Sequence, residues 1–228
     1  MPESLLRRLL SETAVGLCQS YGMTELSGSA AFLTVEDHRL ALAGKPELLR
    51  SVGKPLPTVE IRLVDDAGKA CPVGASGEVL VRGAQCMSGY WQQPGATAEA
   101  LTDGWLNTGD IGRFDTEGYL YIVDRKKDMV VSGGENVASR EVEEVLRNHP
   151  AVKDCAVIGL PDSKWGETVC AVLQLSGQAS DGELHDFCRS HLAGYKTPGR
   201  FIRVGALPLN AAGKIDKPLL RRTWASGQ

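Results

Sequence analysis

Apolar residues recur along this chain at different spacings, and each spacing predicts a different kind of element. In ESLLRRLLSE, leucines 5, 6, 9 and 10 fall on one helical face, and AVGLCQSYGMTE after it reads as a short buried strand running into a polar loop. The two form one helix–strand–loop unit of an open α/β sheet, a fold in which ligands collect where strands end. From Val52 to Val123 the apolar residues come in short β-type runs, VEIRLV, GEVLVRG and YLYIV, separated by the turn sequences DDAGK, PVGASG and FDTEGY. That pattern predicts a small antiparallel sheet or barrel.

Beyond VDRKKD the texture changes again. Ser139 is placed as the N-cap of a helix over REVEEVLRNH, with Val142, Val145 and Leu146 on its inner face and Pro150 as its stop. Buried strands CAVIGL and TVCAVLQL follow on either side of the turn PDSKWGE. Ser180 or Asp181 then caps ELHDFCRSHL, whose Leu184, Phe187, Cys188 and Leu192 turn inward. FIRV is a last strand, and Lys217 to Trp224 a short helix. Strands alternating with helices over about a hundred residues predict a compact α+β domain. The charged stretch from Asp124 to Asp128 separates the two textures.

Composition narrows the function. With 228 residues, 43% of them apolar, the chain supports a real core. The 25 basic and 28 acidic residues leave a net charge of -3, and the basic ones are dispersed, so neither nucleic acid nor a membrane surface is an expected partner. Six cysteines are scattered singly, without a CxxC pair or a histidine at metal-ligand spacing. Several sit in apolar runs, as Cys155 does, which predicts buried reduced thiols in a cytoplasmic setting. His185 and His191 lie six apart, which is not a helical face repeat and does not suit a shared metal. The sequence shows no signal-peptide pattern and no apolar run of membrane-spanning length, and a targeting segment upstream of Met1 stays open.

Four motifs carry the chemistry: YGMTE (Tyr21 to Glu25), NTGD (Asn107 to Asp110), DRKKDMVVSGGENVASREVEEVL (Asp124 to Leu146) and PLNAAGKIDK (Pro208 to Lys217). In this order, with VGKPLP and GEVLVRG among them, the chain resembles the adenylate-forming superfamily of acyl-CoA synthetases, carrier-linked adenylation domains and luciferases, over essentially its whole length. The resemblance implies an α/β plus α+β fold. Residues 1–123 would be the carboxyl-terminal remnant of a large AMP-binding domain, its β-rich subdomain at about 52–123; residues 124–128 a hinge; and 129–228 a mobile AMP-binding-enzyme domain. No segment matches the Ser/Thr/Gly-rich phosphate loop that the family places before YGMTE. Met1 therefore resembles an internal methionine of a longer enzyme, and the isolated chain is expected not to form acyl-adenylate.

The implied reaction joins a fatty, aryl or other carboxylic acid to the α-phosphate of ATP, with Mg²⁺, and then passes the acyl group to the thiol of CoA. The first step brings anions together, so positioning and positive charge lower its barrier. By resemblance Thr24 bonds the α-phosphate, Glu25 holds Mg²⁺, a hard cation suited to carboxylate oxygen, and Tyr21 and Gly22 belong to the nucleotide site. Alone, Thr-Glu is equally a turn or helix cap. Asp110 follows a glycine and offers two carboxylate oxygens to two ribose hydroxyls, or is simply a turn aspartate. Arg125 would contact the ribose, and Lys127 would be the pivot of the mobile domain.

Gly133 and Gly134 remove side chains from a loop through which a pantetheine arm could pass, or make an ordinary turn, and Trp165 would pack on that arm or cover core. Lys214, in a small-residue loop whose turn Gly213 and Asn210 shape, is by itself a solvated tip. In the family its counterpart swings in during adenylation, and an ammonium on a long stem suits that task. Lys217 is expected to be solvated. GGEN and KWGE favour a CoA ligase over a carrier-protein ligase. A truncated, non-catalytic fragment or binding module, or a partner for a separate amino-terminal half, is the reading from outside enzymes.

Overall fold

A computed structural model describes residues 3–225. The chain falls into two compact units, divided between Val123 and Asp124.

In the first unit, helix α1 (Glu3–Glu12) buries Leu6 against Leu33, Ala41, Leu48 and Leu49, while Leu5 is 43% exposed. The expected buried strand after it is mostly coil: residues 13–18 form no ladder and Val15 is 63% exposed. The strand begins only at β1 (Gln19–Met23), which pairs antiparallel with β2 (Gly28–Leu33). A partner strand, not hydropathy alone, decides where the extended backbone starts, because its N–H and C=O groups need a ladder. Helix α2 (Val35–Leu42) is closed by a reciprocal capping box between Thr34 and Asp37. The short β3 (Lys54–Pro55) completes this sheet on the other side of β2.

A second antiparallel sheet follows, from β4 (Val59–Val64) and β5 (Ser76–Gly83), then helix α3 (Pro94–Ala100), β6 (Leu101–Thr102), β7 (Trp105–Phe114) and β8 (Leu120–Arg125). Its order is β4–β5–β7–β6, with β8 on β7. The alternating residues Val59, Leu63, Val79, Val81 and Leu106 pack around Leu26, Ala30 and Leu120. β7 covers the whole of WLNTGDIGRF, a stretch whose hydropathy did not announce a strand. The register slips opposite Glu78 to Leu80, and Gly109 there sits at φ +71°, so a bulge interrupts the alternation.

The second unit contains β9 (Val130–Ser132), β10 (Glu135–Val137), α4 (Ser139–Arg147), β11 (Val152–Asp162), β12 (Gly166–Leu175), α5 (Asp181–His191), β13 (Arg200–Arg203) and α6 (Lys217–Ala225). The sheet runs β10–β9–β12–β11, and β13 joins β12 in parallel. Both of its faces are covered, which is why CAVIGL and TVCAVL are continuous apolar runs. Cys155, Val157, Val169, Ala171 and Leu173 meet α4 and α5 through Val142, Leu146, Leu184 and Cys188. Ala156, Ile158, Cys170 and Val172 face Leu220 of α6 instead. The thiols of Cys155, Cys170 and Cys188 are buried and Cys18 is exposed, with Cys71 and Cys86 in between.

Two local expectations are corrected here. Ser139 is the first residue of α4 and not its cap; its N–H and hydroxyl both donate to the buried carboxylate of Asp124, which closes the helix end from fifteen residues away. Ser180 does cap α5, in a capping box with Glu183. Lys217 is not solvated: its ammonium lies 2.7 Å from Glu143 Oε1 and 2.6 Å from Ser139 Oγ, with 14% of the side chain exposed. Glu143 is buried on α4 and needs a counter-charge, and Lys217 supplies it.

Candidate functional site

The motif residues of the first unit sit where β1 turns into a short 3₁₀ helix (Thr24–Leu26). Leu26 anchors that turn, being fully buried, and leaves Thr24 exposed and Glu25 half-buried. Gly22 lies at a register slip between β1 and β2. A methyl group there would stand 1.8 Å from the Gly28 carbonyl oxygen, so the position admits no side chain. The bulge at Gly109 displaces Asp110 from the ladder of β7; its N–H is held by Thr108 Oγ1 at 3.1 Å, which in turn donates to the Val79 carbonyl. The Tyr21 hydroxyl reaches Asp110 Oδ2 at 2.7 Å, bringing together two motifs 89 positions apart.

Tyr90 was not singled out by the sequence. Its hydroxyl donates to Glu25 Oε1 at 2.8 Å, and this bond to a carboxylate, with partial burial, raises the phenol's pKa. The Met87 N–H donates to the Glu25 carbonyl at 2.7 Å, so the segment around SGYW fixes both ends of this residue. Among the described residues no group of three or more His, Cys, Asp or Glu side chains is placed to hold a metal. The Glu25 carboxylate has the hard oxygen donors that would suit Mg²⁺.

The remaining residues belong to the second unit. Arg125 ends β8, and Arg125, Lys126 and Lys127 are exposed between the buried Asp124 and Asp128. Gly133 has φ +61° and Gly134 φ +84°, both in the left-handed region. A Cβ on Gly133 would come within 2.9 Å of the Trp165 ring, whereas one on Gly134 would meet nothing. Gly133 N–H also donates to the Trp165 carbonyl at 2.9 Å, and Asp162 Oδ1 holds the Trp165 N–H, so the two loops are fixed against each other.

They border a cavity of about 410 Å³ lined by Ser132, Gly133, Trp165, Thr168, Tyr195 and Thr197. That volume suits a small ligand or one arm of a larger one. Trp165 is 50% exposed and Tyr195 48%, and the hydroxyl oxygen of Thr197 is buried with no partner among the described residues. The sequence had shown Trp165 and the glycines but not GYKT, which carries no motif by itself.

Lys214 is exposed at the tip of a tight loop. The Asn210 side-chain oxygen accepts from the N–H groups of Ala212 and Lys214, both at 3.0 Å, and the Asn210 N–H donates to the Lys214 carbonyl at 2.7 Å. Gly213, at φ +73°, supplies the reversal. The asparagine thus does what a turn needs, through an Asx-type pair of bonds.

Residues 1–91 match the family model of AMP-binding enzymes, and residues 141–214 that of the AMP-binding enzyme C-terminal domain. A 2-succinylbenzoate–CoA ligase of Bacillus mycoides is 39% identical over 221 residues, 97% of this chain and 44% of that protein. A feruloyl-CoA synthase of an Amycolatopsis species is 41% identical over 226 residues, 98% of this chain and 44% of that one. The solved o-succinylbenzoate CoA synthetase of Bacillus subtilis, in complex with its acyl-adenylate intermediate, superposes with a TM-score of 0.87 at 39% identity, covering 100% of this chain and 44% of that chain. A second structure of that synthetase holds ATP and a magnesium ion and superposes at 0.84, with 39% identity over 97% of this chain and 44% of that one. The chain spans about 44% of the length of the curated relatives named here.

Proposed function

The chain belongs to the AMP-binding enzymes of the adenylate-forming superfamily, and from that premise we propose that its residues do the work of the carboxyl-terminal part of an ATP-dependent, AMP-forming acyl-CoA synthetase. The observation that carries this reading is the 2.7 Å bond between Tyr21 and Asp110, which makes one polar site of YGMTE and NTGD. Asp110 binds the two ribose hydroxyls of ATP, oriented by the Tyr21 phenol, and Arg125 adds a second ribose contact. Gly22 keeps the strand free of side chain beside the adenine, and the Thr24 hydroxyl bonds the α-phosphate.

Glu25 holds Mg²⁺, which when bound neutralises charge on the phosphates. Tyr90 keeps the Glu25 carboxylate from turning away. Lys214 bonds the oxygens of the attacking carboxylate and of the α-phosphate, offsetting the repulsion between them as the acyl-phosphate bond forms and pyrophosphate leaves. Rotation about Lys127 then withdraws it. The thiol arm of CoA enters beside Gly133 and Gly134 and packs on Trp165, with the Thr197 hydroxyl and the Tyr195 ring offering further contacts in the same cavity. The sulfur attacks the acyl carbonyl and AMP departs. The acid is a carboxylate in the range of 2-succinylbenzoate and ferulate, the acids for which the two relatives are named.

A chimera tests the reading. This chain replaces the corresponding portion of the Bacillus subtilis synthetase, and pyrophosphate release and CoA-thioester formation are measured with the acids just named. Acid-dependent pyrophosphate release followed by thioester is the expected result. A folded chimera that releases no pyrophosphate would overturn it.

A further inference from the structure

Helix α4 carries two glutamates two positions apart, and each holds a lysine from a different loop. A residue of an α-helix turns about 100°, so Glu141 and Glu143 leave the helix on nearly opposite sides. Glu141 takes the Lys196 ammonium on both carboxylate oxygens, at 2.7 Å each, with 20% of the Lys196 side chain exposed. Glu143, 9% exposed on its side chain, takes the Lys217 ammonium at 2.7 Å and the Val157 N–H at 2.9 Å. Glu144, the next residue, pairs with Arg140 at 3.4 Å, both side chains being half exposed.

Lys196 ends a short 3₁₀ helix (Gly194–Lys196), and the residues on either side of it, Tyr195 and Thr197, line the cavity that Trp165 borders. Its ammonium lies 5.7 Å from the centre of the Tyr195 ring, so the carboxylate that holds the ammonium also fixes what stands beside that ring. The Lys196 N–H donates to the Ala193 carbonyl at 2.9 Å and the Thr197 N–H to the Gly194 carbonyl at 3.2 Å; these bonds close the turn, and the Glu141 pair ties it to α4. Lys217 opens α6 three residues after Lys214. Before it, the Asp216 N–H donates to the Pro208 carbonyl at 2.8 Å, so the lysine loop closes on its own base, and Lys217 ties that base to Glu143 and, at 2.6 Å, to Ser139 Oγ. Leu220, packed against the sheet, seats α6 but does not set where its first turn meets α4. Ion pairs are poor sources of net stability, and what these two supply is a defined arrangement of each loop on the helix.

We infer that Glu141 and Glu143 are positioning residues that mount two loops on α4 independently. Glu141, through Lys196, sets the Tyr195–Thr197 wall of the cavity; Glu143, through Lys217, sets the loop that presents Lys214. The inference rests on the synthetase reading for what the loops do, the thiol step at the cavity and the adenylation step at Lys214. Loss of either carboxylate therefore disturbs one loop and one step, which a role in stability alone would not produce.

Backbone amide exchange on the 228-residue chain tests the mounting with no turnover needed. Glu141→Gln is expected to speed exchange at Lys196 and Thr197 about tenfold and to leave Gly213, Lys214 and Asp216 unchanged, since a local opening is released without global unfolding. Glu143→Gln, which keeps an acceptor for the Val157 N–H, is expected to do the reverse, and Lys217→Gln breaks the same pair from the other side should that variant not fold. Ala171 and Leu173 in the sheet report global opening, and Glu144→Gln is expected to move none of these amides. Lys196→Arg and Lys217→Arg, which keep the cations, are expected to retain protection. In the chimera, Glu141→Gln is expected to raise KM for CoA about tenfold and spare pyrophosphate release, whereas Glu143→Gln slows pyrophosphate release about tenfold and spares thioester formation from preformed acyl-adenylate. Exchange that loosens both loops equally or neither, or half-reactions lost in equal measure, would overturn the inference. Failure of the synthetase reading itself would appear as a chimera of the unaltered chain that releases no pyrophosphate, and would leave the exchange result standing.

Discussion

The hydroxyl of Tyr21 donates a 2.7 Å hydrogen bond to Asp110 Oδ2, tying the end of β1 to the bulge in β7. Tyr21→Phe keeps the ring and removes only this donor. In the chimera the variant is expected to raise KM for ATP by about tenfold, the equivalent of one charge-assisted hydrogen bond, with a smaller effect on kcat. An unchanged KM for ATP would show that Asp110 is oriented by other means.

Lys214→Ala removes a cation from an exposed loop without touching the Asn210 bonds that shape it. Adenylation in the chimera is expected to fall by about 10²–10³-fold, the scale seen when one transition-state electrostatic group is lost. Thioester formation from preformed acyl-adenylate is expected to stay within a few-fold. Equal loss in both half-reactions would assign the loop a structural role only.

Gly133→Ala places a methyl group 2.9 Å from the Trp165 ring at a residue with φ +61°. The strain is expected to cost about 1–2 kcal/mol of stability, measured by denaturant unfolding. Its kinetic signature is a raised KM for CoA with the pyrophosphate-releasing step spared. Trp165→Ala removes the steric part, so the double variant should be less destabilised than the sum of the two.

Asp37 gives the first unit an acid-sensitive cap. Burial works to raise its pKa, but hydrogen bonds from Tyr119 and from the Thr34 backbone and hydroxyl outweigh that and hold it below the ordinary carboxylate value. A folded-state pKa below the unfolded one means the stabilisation is present above about pH 4 and is lost as pH falls through the depressed value. Asp37→Asn is therefore expected to flatten the fall of Tm in the acid range below about pH 4, leaving a lower but less pH-dependent plateau. A parallel fall in both proteins would place the acid sensitivity elsewhere.

The parts of the fold that sequence reveals are those where one physical pattern acts alone. VEIRLV and GEVLVRG are short β-type runs bounded by turn residues and fall within β4 and β5, and the two-sided burial of β11 and β12 shows as continuous apolar runs. β7 was hidden because a glycine bulge breaks its period, and the end of α4 was misassigned because its cap comes from Asp124, a long way back in the chain. The same holds for function. The resemblance carried by the motifs pointed to Tyr21, Asp110 and Lys214, whereas Tyr90 beside Glu25, Thr197 in the cavity and Lys217 beside Glu143 acquire meaning only from neighbours that folding supplies. A lysine three residues from an exposed tip has the surroundings in sequence of a solvated one, and only the buried Glu143 makes it otherwise.

The distribution of sulfur gives the molecule a chemical clock. Burial pushes the thiols of Cys155 and Cys170 up to about 12 and that of Cys188 up to about 11, and all three lie in the second unit. Since the thiolate is the reactive form, an alkylating reagent meets Cys18 at once and these three only while their unit is open. At saturating reagent the first-order rate of their alkylation thus times the opening of the unit that carries Lys214, read from sulfur the chain already holds.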